Sequence, residues 1–361
     1  MNSKQKQDIL KDWFGYTEDV KDLKRHEEFF RWIEDDVDFK NDGSDEADAV
    51  RKLELATAVI KYIRRHPKAT REEIKTELKP LVFTGEAVQI PAQDQDTLID
   101  AAINRAVRLW LRVYLVGPGD PRNLNEPSLW NDGSNLSDFV RGAFYPRGVG
   151  EDMELPTDLS EIVGIQSRLT HRLTVANIVE YTDIDVQPTK YFQHHLEYNA
   201  NTNVLYVFLN KRWLLDAEKL AEQANGSELP IDKRVITETI KSLDYLFPAF
   251  DSRTQSYLMR EENEHINLAD ENGGRRGDRP SIKEFAFYHE RLMDIAYEFT
   301  NPPRDLKSIW KDRRNPVQFF IFWIVLLIFI VTVVFGVVAS VLAGLQLGAA
   351  LNLPSRQANS G

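Results

Sequence analysis

The sequence predicts a mainly α protein: a cytosolic helical bundle with winged-helix-like units and a few short strands, followed by one C-terminal transmembrane helix. Three observations carry that prediction. Apolar residues recur at helical spacing through most of the chain, the one clear strand pattern is short, and no residue from Asn315 to Ser355 is charged.

Taken in order, the first 44 residues hold Trp13, Phe14, Phe29, Phe30 and Trp32, aromatic enough for a helix packed on the bundle formed by residues 46–114. Leu55, Val59, Tyr62 and Ile63 share a face of a helix over about 46–65, stopped by His66-Pro67. Thr70-x-x-Glu73 is a capping box that starts a second helix running to Pro80. Ile99, Ile103, Ala106, Val107, Trp110 and Tyr114 mark a third, so these helices resemble a winged-helix-like bundle. Residues 117–160 are rich in Gly, Pro and Asn, yet Leu129, Trp130, Leu136, Phe139, Val140, Phe144 and Tyr145 give them apolar surface to bury, which predicts an ordered connection. The spacing then predicts helices over 173–181 and 189–198, and a strand at Val204–Phe208 entered through the turn-prone Asn199–Asn203. Further helices are predicted over 211–224, 232–246, 251–260 and 282–300, with a flexible loop at 270–280. The resulting organisation is an N-terminal helical domain (1–116), the connection (117–160), a second helical domain with short strands (161–303), a basic juxtamembrane segment (304–316), the transmembrane helix (317–350) and a short tail (351–361).

The span itself, Phe319 to Leu345, is interrupted only by the hydroxyls of Thr332 and Ser340. About 20 apolar residues suffice to cross a hydrocarbon core as a helix. Arg304, Lys307, Lys311, Arg313 and Arg314 precede it and only Arg356 comes after it, which predicts that the bulk of the chain is cytosolic in a tail-anchored arrangement. Trp310 and Trp323 stand where interfacial aromatics anchor a span. Gly336, Ser340, Gly344 and Gly348 recur every four residues and form a small-residue face suited to pairing with a second helix. The asparagines of Asn135-Leu-Ser137 and Asn225-Gly-Ser227 are expected to stay unglycosylated.

The 361 residues carry a net charge of −11 and no cysteine, a balance that disfavours nucleic-acid backbone binding and agrees with a reducing compartment. Phosphate-cradling and dinucleotide fingerprints are absent, as are a G-x-S-x-G elbow and a cysteine nucleophile. His194-His195-Leu-Glu197 lacks the i, i+4 spacing of a helical zinc site, and Asp183 with Asp185 lacks a companion nucleophile; both read as packing or solvated groups. Arg105, Arg108 and Arg112 make a basic stripe opposite the apolar face of the third helix, which a recognition helix would use on a phosphate backbone; carboxylate pairing is the simpler reading.

Trp310-Lys-Asp-Arg-Arg-Asn-Pro-Val-Gln-Phe-Phe running into the span, Phe285–Leu292 (FAFYHERL), Leu129–Phe139 (LWNDGSNLSDF) and the stretch Leu173–Leu214 together resemble a family of uncharacterised single-span, C-terminally membrane-anchored proteins of filamentous fungi. The likeness covers most of the chain from about residue 50; where that family has a tryptophan before a Thr-Asp pair, this chain has Tyr181. The resemblance implies a fungal origin and membrane attachment, and no activity.

These readings converge on a membrane-anchored cytosolic adaptor or interaction protein. No cofactor, metal ligand or catalytic residue is assigned; the expected partners are the lipid bilayer, one or more proteins, and a second copy of the chain through the span. The alternatives are a membrane-associated hydrolase or transferase with a site assembled from distant residues, and an accessory subunit of a transporter or channel. The length of the apolar run and its non-basic C-terminal flank favour the endoplasmic reticulum or later secretory membranes over the mitochondrial outer membrane.

Overall fold

The computed structural model describes residues 1–37, 46–83, 92–115, 130–144, 173–223, 229–248, 251–260, 285–300 and 316–351. It is mainly helical, with three short strands among the described residues. Helix ends follow local chemistry. Asn2 Oδ1 accepts the Gln5 amide at 2.9 Å and the Asn2 amide donates to Gln5 Oε1 at 2.8 Å, a capping box that starts α1 (Ser3–Phe14). Gly15, at φ 70°, ends it in the left-handed region that glycine occupies without steric cost. After a 3-10 turn at Leu23–His26, α2 (Glu27–Asp36) opens on two glutamates, which favour the positive end of its dipole.

The predicted three-helix bundle is α3 (Glu46–Arg65), α4 (Arg71–Phe83) and α5 (Ala92–Leu111), each packed on the other two. The Thr70 capping box is present, with the Glu73 amide 3.3 Å from Thr70 Oγ1 and the Thr70 amide donating to Glu73 Oε2 at 2.8 Å. α4 runs past Pro80 rather than stopping there, because a proline this close to the end costs only one intrahelical bond. The buried stripe of α3 is Leu53, Ala56, Val59, Ile60 and Ile63; Leu55 and Tyr62 lie at its half-buried margin.

Within the Gly/Pro-rich connection, α6 (Leu136–Phe144) is capped by Asn135, whose Oδ1 accepts the Asp138 amide at 2.8 Å. The turn before it accepts two amides from the start of α4, Arg71 N to Ser134 O at 3.2 Å and Glu72 N to Asp132 O at 3.1 Å. Trp130, Leu136 and Val140 are buried as expected; Leu129 and Tyr145 lie outside the described residues.

α7 (Val175–Tyr181) leads into a sheet of order β1-β3-β2, where β1 (Asp185–Thr189) runs parallel to β3 (Val204–Phe208) and β2 (Glu197–Asn199) antiparallel to it. The turn into β3 is built as its asparagines predict: Asn199 Oδ1 accepts the Asn201 amide at 3.0 Å, and Asn203 stands at φ 54°. No helix forms over 189–198. Its backbone amides have distant acceptors, Phe192 N donating to Arg112 O at 2.7 Å and Leu196 N to Tyr206 O at 2.8 Å, which leaves only a 3-10 turn at Phe192–His194. α8 (Lys211–Gln223), α9 (Lys233–Leu246) and α10 (Ser252–Arg260) match the predicted spans, while α11 (His289–Thr300) starts later than its pattern suggests.

Residues Met1–Val179 and Asp183–Thr300 form one compact unit, so segments on both sides of the connection share a core. Three indoles tie that core together. Trp13 Nε1 donates to Thr57 Oγ1 at 3.1 Å, Trp110 Nε1 to Trp13 O at 3.0 Å and Trp213 Nε1 to Trp110 O at 3.0 Å, with all three rings fully buried. The other unit contains α12 (Pro316–Leu351), a single 36-residue helix.

Candidate functional site: an apolar helix and buried polar centres

α12 is long and apolar enough to cross a membrane over Phe320–Ala349, 30 residues or about 45 Å at ~1.5 Å per residue. Apart from Leu98 and Tyr297, every exposed large hydrophobic side chain among the described residues lies on this helix, between Phe320 and Leu347. Its hydroxyls are satisfied within the helix, Thr332 Oγ1 donating to Ile328 O and Ser340 Oγ to Gly336 O, both at 2.8 Å. Trp323 is 38% exposed near its start. Gly336, Gly344 and Gly348 stand in open space, since a Cβ added at any of them meets nothing within 4 Å. Trp310, Lys311, Arg313 and Arg314 lie outside the described residues.

The histidine pair separates into two roles. His194 pairs with Glu197 near the surface, and that hydrogen bond, opposed by burial, holds the Glu197 carboxyl below its ordinary pKa. His195 is fully buried, and burial together with the Arg291 charge holds its pKa well below the ordinary imidazole value. Its Nδ1 accepts the Phe208 amide at 3.2 Å, so the ring proton sits on Nε2 and points at Ser242 Oγ, 2.7 Å away. Ser242 donates onward to Thr239 O at 2.7 Å. The histidine therefore donates to the serine, the reverse of the transfer that activates a nucleophile. The dyad is a packing device. Asp183 and Asp185 are exposed on either side of the buried Ile184, and Asp185 accepts from Gln187 Nε2 at 2.7 Å. Among the described residues, no group of three metal-ligating side chains is close enough to hold an ion.

The arginine stripe is not a free basic face. Arg105 and Arg108 both pair with Asp36 at the end of α2, as the simpler reading expects. Arg112 lies past the end of α5, 2% exposed, with its guanidinium 4.7 Å from the Trp32 ring centroid.

Two centres escaped the sequence reading. Asp216 and His26, each 2% exposed, pair through Oδ2 and Nε2 at 2.8 Å; Tyr16 Oη donates to Asp216 Oδ1 at 2.6 Å and Arg212 Nη2 lies 3.2 Å from the same oxygen. Burial and the Asp216 charge hold the Tyr16 hydroxyl far above its ordinary pKa, so it stays a donor. The signal was an acid at a position where α8 otherwise buries Trp213, Ala217 and Leu220. The second is Glu238 on α9, 7% exposed, which accepts the Ala286 amide at 2.9 Å, Phe287 at 2.8 Å and Tyr288 at 3.4 Å. Those amides are claimed before they can enter α11, which explains its late start. Burial raises the Glu238 pKa against the lowering effect of the three amides.

No family model, curated protein or solved structure matches this sequence.

Proposed function

We propose that this chain is a single-pass membrane-anchored adaptor whose compact unit is held at the cytosolic face and acts through protein contacts. The supporting observation is the segregation of exposed apolar surface among the described residues: it is concentrated on α12, which offers hydrocarbon-compatible side chains on all sides, while the compact unit exposes only Leu98 and Tyr297 among its large hydrophobic side chains. The polar centres of that unit are engaged in internal hydrogen bonds that hold its segments together, an arrangement suited to a rigid scaffold. The cytosolic orientation rests on Arg304, Lys307, Lys311, Arg313 and Arg314 before the span against Arg356 after it. The same cluster suits anionic headgroups, in contrast to the acidic remainder. An apolar run longer than the roughly 20 residues a bilayer core needs favours the endoplasmic reticulum or later secretory membranes. The Gly336, Ser340, Gly344, Gly348 face supports pairing of two copies, and the resemblance to fungal single-span proteins supports a fungal setting.

The test is made on the full chain in cells. The chain stays with membranes through alkaline carbonate extraction, and protease added to intact membranes digests the compact unit. Protection of that unit, or a glycosidase-sensitive mass shift at Asn135 or Asn225, overturns the topology. The adaptor role predicts a reproducible set of proximity-labelled proteins that disappears when the compact unit is replaced by an inert domain of similar size; an unchanged set refutes it.

A further inference from the structure

The end of α5 and the face of α2 carry an excess of buried hydrogen-bond donors. Arg112 is 2% exposed, yet its Nε and Nη2 groups have no hydrogen-bond partner, and the neighbouring Trp32 Nε1, on a ring 9% exposed, has none either. A native interior pairs nearly all such groups, because an unmet buried donor costs about 1–3 kcal/mol. Arg112 also stands at φ 56°, a left-handed conformation that costs a non-glycine residue about 1–3 kcal/mol. Phe192 N, donating to Arg112 O at 2.7 Å, helps to hold that backbone in place.

Charge around the indole is unbalanced in the same sense. Arg112 lies 4.7 Å and the exposed Lys190 5.5 Å from the Trp32 centroid, while Arg105 and Arg108 share the single carboxylate of Asp36. Among the described residues Glu28 is the carboxylate felt electrostatically at Arg112, and burial outweighs it, bringing the guanidinium pKa down to about 10. Two cations, Arg112 and Lys190, thus stand against the one indole.

We infer that Trp32, Arg112 and Lys190 form a binding site for a phosphate-type oxyanion, inorganic phosphate or a phosphate monoester. Such a group carries a charge of about −1.5 to −2 and several strong acceptor oxygens, which matches the unmet guanidinium and indole donors and the neighbouring Lys190 ammonium. The unmet donors are closed from solvent, so binding parts the indole from the guanidinium and changes Trp32 emission.

The experiment uses the full chain in phosphatidylcholine nanodiscs, titrated with inorganic phosphate against chloride at matched ionic strength. Wild type gives a saturable rise in unfolding midpoint and a saturable change in tryptophan emission. Arg112→Met abolishes both, and Trp32→Phe and Lys190→Ala each weaken the midpoint response by about tenfold or more, the size of one charge-assisted hydrogen bond. Nanodiscs containing phosphatidic acid separate the sources: a midpoint rise without added phosphate, lost in Arg112→Met, assigns the phosphate to a lipid headgroup. Lys190→Ala alters an exposed side chain and keeps the test decisive if Arg112→Met does not fold. No saturable response in folded wild type with phosphate or phosphatidic acid, or a response that Lys190→Ala and Trp32→Phe leave unchanged, overturns the site.

Discussion

Removing the Asp216 carboxylate tests whether the N-terminal segment and α8 belong to one cooperative unit. In Asp216→Ala, Tyr16 Oη, His26 Nε2 and Arg212 Nη2 lose a carboxylate partner that now stands at 2.6, 2.8 and 3.2 Å. Hydrogen bonds to a charged group contribute about 1.5–3 kcal/mol each and are not additive, while deleting one member of a buried ion pair costs about 3–5 kcal/mol, so the expected loss is about 3–5 kcal/mol. With a urea m-value of about 3 kcal/mol/M for a unit of this size, the midpoint falls by about 1–1.7 M. Tryptophan fluorescence of the full chain in micelles reads it, since Trp13, Trp110 and Trp213 lie in the same core. Tyr16→Phe alone costs about 1–3 kcal/mol, and the double variant is less destabilised than the sum by about 1–2 kcal/mol, because both substitutions remove the same bond. A loss below about 1 kcal/mol for Asp216→Ala, or strict additivity with Tyr16→Phe, refutes the claim that this centre joins the segments.

Three further outcomes are expected. Trp213→Phe removes the donor to Trp110 O and some buried volume, lowering stability by about 2–3 kcal/mol in the same denaturation assay; a change within about 0.5 kcal/mol means the indole chain is incidental. Glu238→Gln probes a carboxyl whose folded pKa is raised, so its contribution is fully present below the unfolded carboxylate value and is lost as pH rises through the folded one. The wild-type advantage over Glu238→Gln is therefore largest in acid and shrinks as pH rises; an advantage that grows with pH means the amides of 286–288 outweigh burial. Replacing Gly344 and Gly348 together by Ile abolishes a cross-linked dimer in micelles without loss of helicity, because a Cβ at either position meets nothing within 4 Å; an unchanged dimer removes the proposed pairing face.

Helices with a long apolar period and local caps were legible in the sequence, as the Thr70 box, the 211–246 helices and α12 show. Elements whose amides are taken by distant partners were not. Phe192 donates to Arg112 O, and Ala286 to Tyr288 donate to Glu238, so amides that helical spacing at 189–198 and 286–288 would bond locally are engaged elsewhere. The His194-His195 pair was visible as a cluster, but its roles depend on Phe208 N and Ser242, which lie 13 and 47 residues from His195.

By itself, the sequence determined that the chain is mainly helical and carries one C-terminal run apolar enough for a membrane, because helix period, capping and hydrophobic length are properties of neighbouring residues. Only the tertiary structure decided that the segments before and after the connection share one core, that Arg105 and Arg108 pair with Asp36 while Arg112 is buried against Trp32, and that Asp216 and Glu238 are structural acids. The reason is physical: the burial of a charge and the direction of a hydrogen bond depend on partners that only folding brings within about 3 Å.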